Sequence, residues 1–540
     1  MSVKYPLMKN GMYYGRMNDY TANLVMDIRS KKVIPGLTNM IFDFPPELVL
    51  KSLEEGRSIR EIIKEQNIDY TKYVGGLRDY QTVGTAFMYV SKRSIIGDGV
   101  GVGKTAEIAA LINYIHMKKE MKRFIIAVET SALGQMQCEL MRFTGLHIVQ
   151  LPSDAVNMKR VIKKTDWSAV NGVVIKHSAL KSDLLSKWLS LYLDENGKSR
   201  IFDTFFLDES SVIKNVTTKT YRYTLNICNI VNRVHFMNAT TFETNIMDIY
   251  NQVDMLDDTL MPKKWRIEKE FCTFGRKKYW TSVIVENKRQ AQLKFSRVLS
   301  GYKNQAKFKG ALKLFYFGRS SAEVGLERPN VYKVYEVEPT TEQSLAMAKG
   351  YRYMEVLNSP SNIQDICIPF DRQNVPKLNR LIELVENEFS NEKVMVYCFH
   401  LEAQRVIAEE LTQIGRNPVI LNGEDDDESR WAKVENFNKG KYDVIITNIK
   451  KSLNLYGGDV CIFYTLETNP AKMEQIRGRI DRNVDDKLKT FVLLVYKGTD
   501  EYRFLTQVVR QRAKDAKELT IDAKTAIDFF MEAMEREVTT

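Results

Sequence analysis

The sequence predicts an α/β chain with two parallel-sheet domains, and three observations carry that reading. Short apolar runs recur at Ser94–Ile96, Arg123–Val128, Gly172–Ile175 and Thr204–Asp208, and a second set recurs at Lys393–Tyr397, Tyr442–Thr447, Val460–Tyr464 and Thr490–Tyr496. Runs of this length, apolar on both faces, suit central strands of a parallel sheet. Text of helical period separates them, as crossover connections require. Finally, 540 residues exceed what one ordinary core accommodates, so two sets of strands mean two domains.

Taken in order, residues 1–75 form a small accessory module. Asn10-Gly11 stands between apolar and aromatic flanks as a tight hairpin signal, and Pro45-Pro46 opens a short helix. The first sheet domain spans 76–256. From 257 to 340 the text becomes rich in Lys, Arg and Gln (KKWRIEKEFCTFGRKKYW), which predicts a helical insertion and a connection between the domains. The mixture of cations and aromatics at Lys263-Lys-Trp265 and Arg276-Lys-Lys-Tyr279-Trp280 suits either plain packing or a nucleic-acid stacking surface. The second domain covers 341–500, and 501–540 read as charged C-terminal helices.

Composition narrows the class. With 44% hydrophobic and 27% charged residues the chain is no disordered polymer. A formal net charge of +11 makes nucleic acid the first polyanion to consider. Six cysteines lie far apart with no C-x-x-C pairing, so neither zinc nor a redox motif is indicated. The first residues lack the apolar region of a signal peptide and no run of 18 apolar residues occurs, so a soluble, cytoplasmic protein without a membrane partner is expected.

Gly97-Asp-Gly-Val-Gly-Val-Gly-Lys-Thr105 is a phosphate-binding loop of the form G-x-x-x-x-G-K-[ST] except that Asp98 takes the first position. It follows a strand and opens a helix, the context in which crowded backbone N–H groups and a helix N-terminus bind phosphate. Gly99, Gly101 and Gly103 would let the backbone approach, Lys104 would reach the β- and γ-phosphates, and Thr105 would hold Mg²⁺. Further on, an apolar strand delivers Asp208 and Glu209 at its C-terminal end, where open α/β sheets place their chemistry. Asp208 would complete the metal shell and Glu209 would polarise the attacking water. In Gln475-Ile-Arg-Gly-Arg479-Ile-Asp-Arg482, a helix would set Arg479 and Arg482 on one face, fit for a γ-phosphate. Each piece alone also has an ordinary reading, as a turn, a helix cap or a solvated basic face.

Together these motifs resemble superfamily 2 helicases of the Snf/Swi-type DNA translocase branch, over about Leu77 to Glu501. That branch writes its loop with Asp at the odd position. Leu77-Arg78-Asp-Tyr-Gln81-Thr-Val-Gly84 is similar to its adenine-recognition motif, with Arg78 and Gln81 as nucleotide contacts. Asp208-Glu-Ser-Ser-Val-Ile-Lys214-Asn215 carries Ser211 where His is usual, and Asn238–Asn245 carries Thr241 where Pro is usual. Phe317–Val324 with Leu326–Pro329 resembles the segment joining the lobes. Val396–His400, Leu421–Gly423 with Arg430, Thr447–Leu455 with Ser452 for Gly, Gln475–Arg482 and Gly498–Glu501 complete the order.

The resemblance implies two RecA-like lobes that close on ATP and Mg²⁺, with DNA across their edges. Lys104, Asp208, Glu209, Gln475, Arg479 and Arg482 would be catalytic. Ser131, His177, Lys214, Phe399, Asn422 and Thr447 would contact DNA, mostly its backbone. It implies a DNA translocase or a strand-separating helicase on duplex, forked or branched DNA, encoded by a prokaryote or phage, working with replication, recombination or transcription proteins. A transcription-associated ATPase acting on RNA polymerase reads the same way. The altered Ser211, Thr241 and Ser452 leave open a nucleic-acid-binding scaffold with a dead ATPase. A metabolic kinase would not need the second lobe's Gln-x-x-Gly-Arg-x-x-Arg.

Overall fold

A computed structural model describes residues 77–238, 246–256, 264–285, 288–304, 308, 312, 315–321, 323–326, 328–349, 353–358, 369–449, 454–467, 469–481, 487–510 and 526–539. The expected N-terminal module, with Asn10-Gly11 and Pro45-Pro46, lies outside them, as do Lys263, Thr241, Ser452 and Arg482.

Two all-parallel sheets form the frame. The first contains β1 (Arg93–Ile96), β2 (Phe124–Val128), β3 (Ile148–Leu151), β4 (Gly172–Lys176), β5 (Thr204–Leu207), β6 (Arg233–Met237) and β9 (Tyr316–Phe317), in the spatial order β3-β4-β2-β5-β6-β1-β9. Between β6 and β9 the chain makes a separate antiparallel pair, β7 (Cys272–Val285) and β8 (Lys288–Tyr302). The second sheet contains β10 (Val331–Val337), β11 (Val394–Tyr397), β12 (Pro418–Leu421), β13 (Val444–Thr447), β14 (Val460–Phe463) and β15 (Thr490–Tyr496), ordered β10-β15-β14-β11-β13-β12.

Every residue of β1, β2, β5 and β6 is buried, as a sheet covered on both faces demands. In the second lobe the pleat divides two cores. Met395, Tyr397, Ile445, Cys461, Phe463, Phe491 and Leu493 belong to one, while Val394, Val396, Ile446, Val460, Ile462, Val492 and Leu494 belong to the other. That is the period-2 alternation of strand side chains used on both sides. A C-terminal helix, Ala526–Thr539, packs Ile527 and Phe530 into the first of these cores.

The apolar runs read from sequence correspond to β1, β2, β4, β5, β11, β13, β14 and β15. Four further strands are hidden in the sequence because polar residues or proline interrupt their text: β3 holds Gln150, β6 holds Arg233 and His235, β10 alternates Lys and Glu with apolar residues, and β12 begins at Pro418. His235 is fully buried with its Nδ1 2.8 Å from Ser94 Oγ, and burial holds its imidazole neutral.

The insertion corrects the sequence reading. Among the described residues, helix holds for Lys264–Phe271 and at Phe308 and Leu312, whereas from Cys272 to Tyr302 the chain pairs as a long hairpin with Val285 opposite Lys288. Alternating β-branched, aromatic and cationic residues favour extended backbone there over the helical period their charge suggests. The connecting span also serves both sheets, since β9 pairs with β1 and β10 pairs with β15.

Of the described cysteines, Cys228, Cys272, Cys398 and Cys461 are buried, whereas Cys138 is exposed; all are free thiols. No described helix is long and apolar enough to cross a membrane.

Candidate nucleotide site between the lobes

The phosphate loop leaves β1 and enters α2 (Lys104–Met117), preceded in the chain by α1 (Asp79–Ser91). Gly101 and Gly103 adopt φ of 80° and 100°, values that favour glycine, and Gly103 is the N-cap of α2. A side chain at Gly103 would collide with the Gln81 amide, whose nitrogen lies 2.3 Å from the ideal Cβ position. Gln81 donates to Val102 O at 3.1 Å and accepts from Arg78 N at 2.9 Å, so it clamps the loop. Arg78 itself is exposed. Lys104 Nζ donates to the carbonyls of Asp98 (2.8 Å) and Gly99 (3.2 Å), and Thr105 is half-buried beside it at the helix start. A lysine resting on its own loop, an open Gly101 and a helix N-terminus fit a polyphosphate.

The unexpected letter in the loop has a structural account. Asp98 is completely buried, and its carboxylate accepts from Arg319 N (3.0 Å), Nε (3.1 Å) and Nη2. The same guanidinium donates to Glu107 Oε1 at 2.6 Å and to Tyr80 O, and stacks 4.5 Å from the Phe317 ring centroid. The Asp98 carboxylate therefore faces the connecting segment and anchors Arg319, while the residue's carbonyl accepts from Lys104 within the loop. Gly84 belongs to the same cluster, because a Cβ there would lie 2.7 Å from both Glu107 oxygens and 2.8 Å from Arg319 Nη2. Burial, ahead of the opposing Arg319 charge and the repulsive Asp98, pushes the Glu107 carboxyl up to about 8.

In the sequence Arg319 and Gly84 stand out only as motif letters, and Glu107 belongs to no motif at all. The signal that could have found it is an acid within Ala106-Glu-Ile-Ala-Ala-Leu-Ile, since a buried charge needs a partner.

The acidic pair follows β5. Glu209 adopts φ 49°, a left-handed turn rare for a non-glycine residue, which ends the strand abruptly and starts a 3₁₀ turn at Ser210. Ser210 donates to Gln252 on α3 (Ile246–Leu256) at 2.6 Å, and Asn251 on the same helix donates to Lys214 O at 2.6 Å. His177, at the end of β4, sits with Nε2 2.8 Å from Asp208 O, which ties it to the acidic turn. Ser211 and Lys214 are half-buried. Among the described residues no cluster of three His, Cys, Asp or Glu side chains stands ready for a metal.

The second lobe reaches this turn. Gln475, on α6 (Pro470–Arg477, after α4 Lys264–Phe271 and α5 Pro376–Glu383), approaches Glu209 with its amide nitrogen 3.3 and 3.5 Å from the two carboxylate oxygens. Gly478 lies against the phosphate loop: a Cβ there would sit 2.3 Å from Val100 Cγ1. Arg479 is buried next to it. The helix ends at Arg477, so Arg479 is presented by a turn; its expected pairing with Arg482 involves a residue outside the described ones. Gly478 is a weak helix former, and Leu455 N donates to the Arg479 carbonyl at 3.0 Å, which favours the turn.

The residues expected on DNA are distributed along strand ends. Ser131 falls in a 3₁₀ turn after β2. Phe399 follows β11, exposed, with its ring 5.4 Å from that of His400. Asn422 is buried and its side chain accepts from Glu424 N at 2.9 Å. Thr447 is fully buried and accepts from Ile449 N at 3.0 Å. Both cap their own loops.

Residues 376–484 match the helicase conserved C-terminal domain. The chain is 22% identical over 472 residues to the Xenopus laevis SWI/SNF-related matrix-associated actin-dependent regulator of chromatin subfamily A-like protein 1, covering 82% of this chain and 44% of that protein. It is 24% identical over 194 residues to the DNA excision repair protein ERCC-6-like of Mus musculus, covering 33% and 15% respectively. The chain thus spans less than half the length of these curated relatives. Among solved structures it has a loose likeness, with TM-score 0.39 and 15% identity, to the Sulfolobus solfataricus SWI2/SNF2 ATPase core in complex with dsDNA, covering 87% of this chain and 97% of that one.

Proposed function

The chain belongs to the Snf/Swi-type branch of superfamily 2 helicases, and from that premise we propose that it is an ATP-dependent motor on DNA. The observation that carries the proposal is the approach of Gln475 to Glu209, with Gly478 against Val100: the acid expected to activate water is met by the other lobe. ATP would lie in that seam. Lys104 would exchange its loop carbonyls for the β- and γ-phosphates, and Thr105 with Asp208 would hold Mg²⁺, which neutralises phosphate charge during transfer. Glu209 would orient and deprotonate the attacking water while Gln475 fixes its carboxylate, and Arg479 with Arg482 would stabilise charge building on the γ-phosphate. Closing and opening of the lobes would then move the protein along one DNA strand, remodelling forks, junctions or protein–DNA complexes. The strand-end residues Ser131, His177, Lys214, Phe399, Asn422 and Thr447 would grip the backbone, the buried ones through their loops. The net charge of +11 supports a polyanionic track.

The test is phosphate release with and without duplex DNA. The expected result is stimulation by DNA and a loss of about 100-fold or more in Glu209→Gln, the usual scale for removing a general base. Hydrolysis that ignores DNA and survives Glu209→Gln would instead leave a binding scaffold. Triplex displacement on plain duplex, set against strand displacement on a fork, separates translocation from unwinding.

A further inference from the structure

The β7–β8 hairpin is an element that the nucleotide site does not use. Its strands of 14 and 15 residues would extend roughly 50 Å if straight. They pair with each other and with no third strand among the described residues. At the root, Phe271 and Cys272 belong to the first lobe's core, with Phe274, Leu299 and Tyr302 packed against it. Beyond that root, the described side chains Arg276, Phe295 and Arg297 are exposed.

Such a ribbon is poorly supported by its own interactions. An isolated two-stranded pair is marginal in water, and its outer edges present unpaired backbone groups. Residues 272–302 also hold seven cations against the single carboxylate of Glu286. The register sets Arg276 directly opposite Arg297, and like charges in that position repel. Among the described residues, Arg297 has an ion pair with Glu268 at 3.7 Å, which offsets little, and lies over the Phe274 ring. The pattern makes sense if anions come from outside.

The register further specifies where. By the backbone register, positions 276, 278, 289 and 297 lie on one face of the pleat and positions 277, 288 and 294 on the other, and all seven are cationic in the sequence. A ribbon basic on one face would lie on a single phosphate backbone. One that is basic on both faces has room for two, and its cations would release the counterions condensed on each.

We propose that the β7–β8 ribbon is a second nucleic-acid-binding arm, standing between the two phosphate backbones of a forked or branched DNA. The inference takes DNA as ligand from the motor reading but requires no hydrolysis. The test compares the full chain with Arg276→Gln/Lys278→Gln/Lys294→Gln/Arg297→Gln, and with a second variant in which an Asn-Gly turn joins Gly275 to Val298. Unchanged melting of the nucleotide-bound protein controls for folding. Affinity for a forked DNA and for plain duplex is titrated against salt, alongside duplex-stimulated phosphate release. The expected outcome is an affinity for the fork at least 10-fold weaker. The plot of log K against log salt should be shallower by about one for each phosphate no longer neutralised. Duplex binding and duplex-stimulated hydrolysis should be retained. Unchanged fork affinity and slope in both variants would overturn the arm, as it would if the ribbon served an acidic protein. Equal losses on fork and duplex would overturn its place at a branch. A wild-type chain that binds forks through the ribbon yet hydrolyses no ATP would sink the motor reading alone.

Discussion

Asp98 shows what one residue decides. Its carboxylate and the Glu107 carboxyl hold Arg319 in a site where the guanidinium is 12% exposed and neither acid is exposed at all. Asp98→Asn leaves a buried guanidinium short of its counter-charge, a change that ordinarily costs about 3–5 kcal/mol; urea unfolding measures it. Glu107 behaves differently because its folded carboxyl titrates near 8, above its ordinary value of 4.5. A raised acid keeps its stabilisation below the unfolded value and loses it as pH climbs through the folded one. Glu107→Gln, which cannot titrate, should therefore gain on the wild type between about pH 5 and pH 8.5. A stability difference that stays flat across that range would refute the assignment. At this scale the sequence is half legible. The phosphate loop, Asp208-Glu209 and Gln475 can be named from motif text, whereas the partner of Asp98 lies 221 residues away, a distance that local pattern does not span.

Elements are read best where their text is uniform. The wholly apolar strands are plain in the sequence; β6 is not, since Arg233 and His235 break its run and are tolerated only because Ser94, Tyr89 O and Glu120 receive them. The ribbon reads as helix because charge and helical propensity outweigh an alternation that becomes evident only in the paired strands. A comparable buried exception stabilises the second lobe. Lys377 at the start of α5 is fully buried and donates to Glu501 at 2.8 Å, to Asn358 and to Tyr464 O, while Tyr496 N donates to the same carboxylate. This pair ties α5 to the end of β15. Lys377→Met alone should destabilise by about 3–5 kcal/mol, and Lys377→Met/Glu501→Leu by clearly less, because the second change removes the stranded charge. Calorimetric melting of the wild type, Lys377→Met, Glu501→Leu and the double variant would reveal it, and additive losses would disprove the coupling.

For the whole molecule, the architecture follows from two sets of strands, and the seam between lobes follows from motif order. Gly478 is its most sensitive point, since an added methyl meets the Val100 side chain. Gly478→Ala should lower DNA-stimulated kcat about 10- to 100-fold through misplacement of the facing groups. Trimming the obstacle in Gly478→Ala/Val100→Ala should recover much of it. Equal activity of wild type and single variant would mean the lobes do not meet here during turnover.

Residues 318–330 are all that separates the last strand of one sheet from the first of the other, and Arg319 fastens that tether to Asp98 in the phosphate loop. If the proposed lobes close on nucleotide, the second lobe would turn about a tether fixed at Arg319 to the loop that carries Lys104. On the proposed reading, lengthening the tether just after Arg319 should uncouple phosphate release from movement while leaving every group expected to meet the phosphates in place.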